Sequence, residues 1–218
     1  MMTADTPAMT NKFHITPALL LALLLFWAPV IVFSLIAGEV LERKPLAVDV
    51  SILNAIHAHA NPFLDKVSLF FTTLGSALYM IPITIAIISV LLYAKQRVNA
   101  MIVAFGAGGA AVANVIIKLI FHRQRPDLWP RIVNETSYSF PSGHAMASSA
   151  LVFCLIAALW HTRYRWVAIL AGGTVMLLIG LSRLYFGVHY PSDVIAGWCA
   201  SLVWVLLVVR LLRHKIKL

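Results

Sequence analysis

Apolar residues run along this chain in long unbroken stretches, and charged residues mark where the stretches end. Between successive charges lie six uncharged, mostly apolar spans: Lys12 to Glu39, Lys66 to Lys95, Arg97 to Lys118, Glu135 to Arg163, Arg165 to Arg183, and Asp193 to Arg210. Each can hold a helix of about 17–25 residues, the length that crosses roughly 30 Å of hydrocarbon, with the last near the short limit. A charge at the bilayer centre costs at least ~2.5–3.5 kcal/mol, so the confinement of Lys, Arg, Asp and Glu to span ends and connectors supports these boundaries. Between the first two spans, ERKPLAVDVSILNAIHAHANPFLDK sets Ile52, Leu53 and Ile56 at helical spacing among polar residues. That pattern predicts a short amphipathic helix lying at the outer interface. The predicted fold is therefore all-α: a polytopic membrane bundle of six transmembrane helices with one short interfacial helix, a single domain over residues 1–218 that begins with a short disordered tail, 1–14. The first span is longer than the apolar core of a secretory signal and shows no clear cleavage site, so it is expected to stay as an anchor.

Composition agrees with this pattern. Of 218 residues, 61% are hydrophobic and 11% charged, far more apolar than a soluble domain. Six crossings put both termini on one side. That side collects Lys12, Lys95, Arg97, Arg163, Arg165, Arg210, Arg213, Lys215 and Lys217, while seven of the eight acidic residues fall opposite. The positive-inside rule makes both termini cytoplasmic, so the formal charge of +9 reports topology. No basic, aromatic-interleaved face suggests nucleic acid binding. Cys154 and Cys199 lie inside apolar spans without metal-type spacing and read as structural thiols. FGAGGAAVAN in the third span and AGG in the fifth read as close helix packing. Neither is a nucleotide loop, because no strand precedes it and no Lys-Ser/Thr follows.

The polar clusters are more informative. The third span exits outward into KLIFHRQRPDL, the fourth enters at PSGH, and the fifth exits into SRLYFGVHYPSD just before the sixth enters. Taken singly, each residue has an ordinary explanation: a snorkelling or capping charge for Lys118, Arg125 and Arg183, an N-cap for Ser142, a first-turn acid for Asp193, an interfacial hydrogen bond for His144 or His189. Together they gather at the outer ends of four neighbouring helices, with the free backbone N–H groups of Ser142, Gly143 and His144. Guanidinium forks, an ammonium and a glycine-bearing helix N-terminus are what grips a phosphoryl group. Binding alone would not need two histidines. In HYPSD, Pro191 suits a first helical turn, from which Asp193 reaches back to hold His189 Nδ1–H and leave Nε2 as a nucleophile. His144 then remains to protonate a departing alkoxide.

K-x6-RP at Lys118 to Pro126, PSGH at Pro141 to His144, and SR-x5-H-x3-D at Ser182 to Asp193 resemble the three signature motifs of the type 2 phosphatidic acid phosphatase superfamily, which also includes vanadium haloperoxidases. The match spans residues 118 to 193 with no departure at a signature position. The resemblance implies that Lys118, Arg125 and Arg183 hold the phosphate and that Ser142 and Gly143 complete the cradle. It implies that His189 becomes a transient phosphohistidine supported by Asp193, and that His144 is acid for the leaving group and base for water. It implies no cofactor and no metal, in keeping with the lack of a carboxylate cluster suited to magnesium; His57-x-His59 is expected to be interfacial rather than metal-binding.

The bacterial membrane branch of the superfamily resembles this chain in length and six-span layout. It implies a lipid phosphatase of the bacterial inner membrane, its site facing the periplasm or exterior, acting on undecaprenyl diphosphate, phosphatidylglycerophosphate or phosphatidate. Trp129, Tyr138 and Phe140 are expected to seat the loop before PSGH among lipid headgroups. The rivals are a haloperoxidase, a lipid phosphotransferase sharing the phosphohistidine, and a non-catalytic phospholipid transporter or sensor. Hydropathy argues against the first, and the last leaves the His189/Asp193 pair idle. Asn134-Glu135-Thr136 matches a glycosylation sequon and is read as coincidental.

Overall fold

A computed structural model describes residues 16–42, 46–130, 132–133 and 135–214. The predicted tail 1–14, the terminal Lys215 and Lys217 and Asn134 of the sequon lie outside these residues. Among the described residues all regular structure is helical. In order these are α1 (Pro17–Leu41), α2 (Ala47–His57), α3 (Pro62–Leu74), α4 (Ala77–Tyr93), α5 (Arg97–Phe121), α6 (Gly143–Leu159), α7 (Arg165–Val167), a π-helical turn (Ala168–Gly172), α8 (Gly173–Tyr185) and α9 (Pro191–His214).

Among the described residues, four stretches are long and apolar enough to cross a bilayer: Leu23–Leu41, Arg97–Phe121, Arg165–Tyr185 and Pro191–His214. The third of these is α7, the π turn and α8 read as one rod. The span expected from Lys66 to Lys95 is not one straight helix. It is α3 and α4, bent by 52° at a break over Gly75 and Ser76, and as a pair they make a fifth candidate crossing. Asn61 starts the pair, its side chain accepting from the N–H groups of Phe63 and Leu64 at 3.1 and 3.0 Å, with Pro62 in the first turn. Gly75 ends α3 where a side chain has no room: a Cβ there would lie 2.5 Å from Ile179 Cγ2 and 3.2 Å from His144 Cδ2. The bend thus sits against the His144 ring. The span expected from Glu135 to Arg163 is helical only over the 17 residues of α6, because residues 135–142 are drawn into the polar loop that precedes it.

α6 lies at the centre, packed on α5, α8 and α9; α1 lies against α9, α4 against α5, and α3 against α8. The small residues of the third span work as packing sites. Gly106 faces Cys154 and Val205, and Gly109 faces the Trp204 ring, whose Nε1 donates to Phe105 O at 2.9 Å. Such contacts are what hold apolar helices together where no water drives association. α2 departs from a plain amphipathic helix. Leu53 is fully buried as expected, but Ile52 is exposed and Asp49, one turn before Leu53, is buried with it. α2 rests against α8 and α9 rather than standing apart from the bundle.

Phe140 does not sit among headgroups. It is fully buried, its ring 5.7 Å from that of Phe33 and 4.9 Å from that of Phe121. A phenyl ring has no polar end to keep at an interface, so burial against two other rings wins. Trp129 is also packed inward, stacked on His57 at 4.0 Å and lying against Gly187, while Tyr138 meets His122 edge-on.

Candidate active site

α5 ends by turning left-handed at His122 (φ 48), whose N–H closes on Lys118 O. From there the described residues up to α6 are not helical, and they carry Arg123 and Arg125 inward. Ser142 caps α6, its side chain accepting from Ala145 N. Asn114 on α5 ties down this approach by donating to Pro141 O at 3.1 Å, and its Oδ1 would be 3.2 Å from a Cβ at Gly143. On the other side α8 delivers Arg183. The turn after it needs Gly187 (φ 61) and brings His189 to the same place. α9 then starts with a reciprocal cap: Asp193 N donates to Tyr190 O, and Tyr190 N to Asp193 Oδ2 at 2.9 Å.

The structure brings all eight residues singled out in the sequence to one locality. Lys118, Arg125, Gly143, His144 and His189 line one cavity of about 300 Å³ that is shared with Glu135. Arg183 reaches Glu135 from behind, and Ser142 and Asp193 lie just beneath, joined by the bond from Ser142 N to Asp193 O.

His189 is 1% exposed. Arg125 Nη1 lies 3.0 Å from its Nε2, and a guanidinium can only donate, so Nε2 is the lone-pair nitrogen and Nδ1 carries the hydrogen. Nδ1 is 3.4 Å from Asp193 Oδ2, longer than a normal hydrogen bond. Ser139 fills the gap: its Oγ is 3.3 Å from Nδ1 and donates to Asp193 Oδ2 at 2.5 Å. Burial pushes the imidazole down to about 3, against the opposing pull of Asp193 and with help from Arg125. The ring is therefore neutral at physiological pH, the state a nitrogen nucleophile requires. His144, in the first turn of α6, is half-buried, and no described residue hydrogen-bonds its ring.

The cations are arranged around an oxyanion. Arg183 is fully buried; Nη1 donates to Thr72, Nη2 pairs with Glu135 Oε1, and Nε has no partner. Glu135 Oε2 also lies 3.5 Å from Arg125 Nη2. Lys118 donates to Tyr138 O and to Ser137 Oγ. A carboxylate thus stands between two guanidinium groups, one of which still has an unused buried donor. A phosphoryl group, with more oxygens and more charge, suits that place better than one carboxylate.

The sequence reading missed several members. Arg123, two residues before Arg125, donates to Asp193 Oδ1 at 2.5 Å and to Asp49 Oδ2 at 3.0 Å. Asp49 was legible only as an acid one turn before the buried Leu53, on the inward face of α2. Ser139 opens the run SFPSGH, and Glu135 and Thr72 carried no signal. His57 and His59 lie elsewhere, the first stacked on Trp129 and the second 2.9 Å from Ala55 O.

Comparison with known proteins points the same way as the geometry. The family model described as the PAP2 superfamily matches residues 99–217. The chain is 28% identical over 182 residues to phosphatidylglycerophosphatase B of Bacillus subtilis, covering 81% of this chain and 89% of that protein. It is 30% identical over 181 residues to an undecaprenyl-diphosphatase of Sulfolobus acidocaldarius, covering 81% and 82%. Among solved structures, the transmembrane PAP2-type phosphatidylglycerolphosphate phosphatase of Bacillus subtilis superposes with a TM-score of 0.78 at 26% identity, over 89% of this chain and 98% of that one.

Proposed function

The chain belongs to the PAP2 superfamily and is a phosphatase, and from that premise we propose that it hydrolyses membrane lipid phosphates or diphosphates through a phosphohistidine on His189, without a metal. The observation that carries this reading is His189 itself: a buried, neutral imidazole that lines a cavity with Lys118 and Arg125, its Nε2 accepting from Arg125, with Arg183 held on Glu135 at the edge of that cavity. The substrate phosphate displaces Glu135 from the two arginines and takes the unused Arg183 Nε–H. Once Arg125 Nη1 turns from His189 Nε2 to a phosphate oxygen, Nε2 attacks phosphorus; as the N–P bond forms, the bond from phosphorus to the lipid oxygen breaks. His144 supplies the proton that the leaving oxygen takes. Water, deprotonated by His144, then attacks the phosphohistidine and releases inorganic phosphate. Three fixed cations and the α6 N-terminus supply the charge stabilisation that a metal ion gives in other phosphatases.

Two relatives, a phosphatidylglycerophosphatase and an undecaprenyl-diphosphatase, support a lipid substrate of that kind. So does the cavity, which runs from His189 along Ala77, Ala110 and Ala111, a wall that a lipid chain can lie against. Counting the bent α3–α4 pair as one crossing and α6 as another gives six crossings. α6 would be the shortest, at about 26 Å. Lys95, Arg97, Arg163, Arg165, Arg210 and Arg213 lie at the end of the bundle away from His189, so both termini would be cytoplasmic and the site would face outward across a bacterial inner membrane.

The test is rapid quench into alkaline detergent of purified enzyme with a lipid labelled in its terminal phosphate. Label is expected on wild type and absent from the folded His189→Ala variant, with free phosphate as the final product and with activity retained in EDTA. A labelled His189→Ala protein, or transfer of label to a second lipid in place of phosphate release, would overturn the proposal.

A further inference from the structure

Beneath the phosphate cradle lies a second ionic cluster that the reaction above does not use. Asp49, on the short helix between the first two spans, is 1% exposed, and Arg123 is 9% exposed. Arg123 bridges two carboxylates, donating from Nη1 to Asp193 Oδ1 at 2.5 Å and from Nη2 to Asp49 Oδ2 at 3.0 Å. Its guanidinium also lies over the Tyr190 ring, 4.1 Å from the centroid. Asp49 in turn grips the start of α9: Ser192 N donates to its Oδ1 at 3.0 Å and Ser192 Oγ to its Oδ2 at 2.5 Å. A helix that merely rested at the interface would not need a buried acid aimed at the first turn of the last helix.

We infer that Asp49 and Arg123 are positioning residues for catalysis, setting the charge that Asp193 presents to His189. This rests on the phosphohistidine reading. With His189 neutral, Asp49, Arg123 and Asp193 sum to −1. When Nε2 bonds to phosphorus, the imidazole becomes cationic and that −1 is matched within the cluster. The remaining charged groups, Lys118, Arg125, Arg183 and Glu135, face the phosphate side. Without Asp49, Arg123 would neutralise Asp193 outright and leave nothing to offset the new charge. The cluster therefore favours the phosphorylated state over the resting one, and an interaction stronger in the transition state than in the ground state is the kind that raises kcat.

The charge count makes a reversal testable. Asp49→Asn leaves the cluster at 0 and is expected to lower kcat about 10–100-fold, with KM and inhibition by inorganic phosphate within about twofold, because the cradle is untouched. Arg123→Gln leaves −2. The double variant returns to −1 and is expected to turn over at least about fivefold faster than Asp49→Asn alone. A purely structural role for the cluster predicts the opposite, a double variant no faster than either single one, and that result overturns the inference. If Asp49→Asn does not accumulate as folded protein, Arg123→Lys is compared with Arg123→Gln: several-fold higher kcat for the lysine supports the inference, and equal rates overturn it. The two proposals fail separately. An absence of alkali-stable, acid-labile label on wild type removes the phosphohistidine reading itself, whereas a labelled wild type with an Asp49→Asn variant of normal kcat removes only the role of Asp49.

Discussion

Replacing Arg183 by lysine keeps a positive charge beside the phosphate site and removes the planar fork. In the structure Nη1 is held by Thr72, so the donors free to meet a phosphoryl oxygen are Nη2, now on Glu135, and the unpartnered Nε. A hydrogen bond to a charged group contributes about 1.5–3 kcal/mol. Two of them therefore amount to about 3–6 kcal/mol, or about 10²–10⁴ in rate at 1.4 kcal/mol per decade. Lysine recovers part of this as a point charge. Arg183→Lys should therefore lower kcat/KM by about 10²–10³, measured as phosphate release from a lipid phosphate in detergent, and Arg183→Ala should fall further. Because Arg183 is buried, each variant is also melted. Thr72→Val serves as a control that loosens the Nη1 anchor while leaving the other donors in place, and it should cost far less than the lysine exchange. An Arg183→Lys enzyme within about fivefold of wild type, with a normal melt, would refute the assignment of this guanidinium to the phosphate.

Glu135→Gln removes the carboxylate that competes for the same guanidinium groups. With partial solvent screening, about 1–2 kcal/mol is expected, seen as roughly 5–30-fold tighter inhibition by inorganic phosphate; unchanged inhibition would remove Glu135 from the cradle. Gly187→Ala puts a side chain at φ +61 and within 2.6 Å of the Trp129 ring. The left-handed conformation alone costs about 1–2 kcal/mol, so a lower melting temperature should accompany the loss of rate, and a melt equal to wild type would contradict the geometry. His189 is pushed down to about 3 in the folded protein, whereas an unfolded chain binds that proton near 6.5. Protonation below about pH 6.5 therefore favours the unfolded state, and stability should be lost as the pH falls from there toward 3. A His189→Asn variant should show a shallower acid decline, and parallel curves would argue against the shift.

The cluster around His189 was legible because its members stand in three short runs, each tied to a helix end. KLIFHRQRPDL leaves α5, PSGH starts α6, and SRLYFGVHYPSD joins α8 to α9, so local spacing already fixed which residues face one another. What escaped notice depends on distance along the chain. Asp49 meets Ser192 from 143 residues away, and nothing near either residue announces the partner. Glu135 looked like a loop charge because its two arginines come from different segments. Hydropathy also misjudged direction. It ranks Phe140 as apolar but cannot tell a ring at the headgroups from one wedged between Phe33 and Phe121. It counts Lys66 to Lys95 as one apolar run, although Gly75 and Ser76 break the helix where the His144 and Ile179 side chains press in.

The Asp49–Arg123–Ser192 contacts also bear on how the protein is made. Helices leave the ribosome in order, and α9 comes last. Until it arrives, Arg123 has Asp49 but neither Asp193 nor Ser192, and Asp49 lacks the Ser192 N–H and hydroxyl that it will accept from. Completion of this end of the bundle is thus a late event in biogenesis, and a nascent chain halted before Pro191 would leave the Asp49–Arg123 pair without its α9 partners where the finished bundle is dry. Truncation from the C-terminus should yield an assembly that a membrane quality-control protease recognises as unfinished, rather than a slower enzyme.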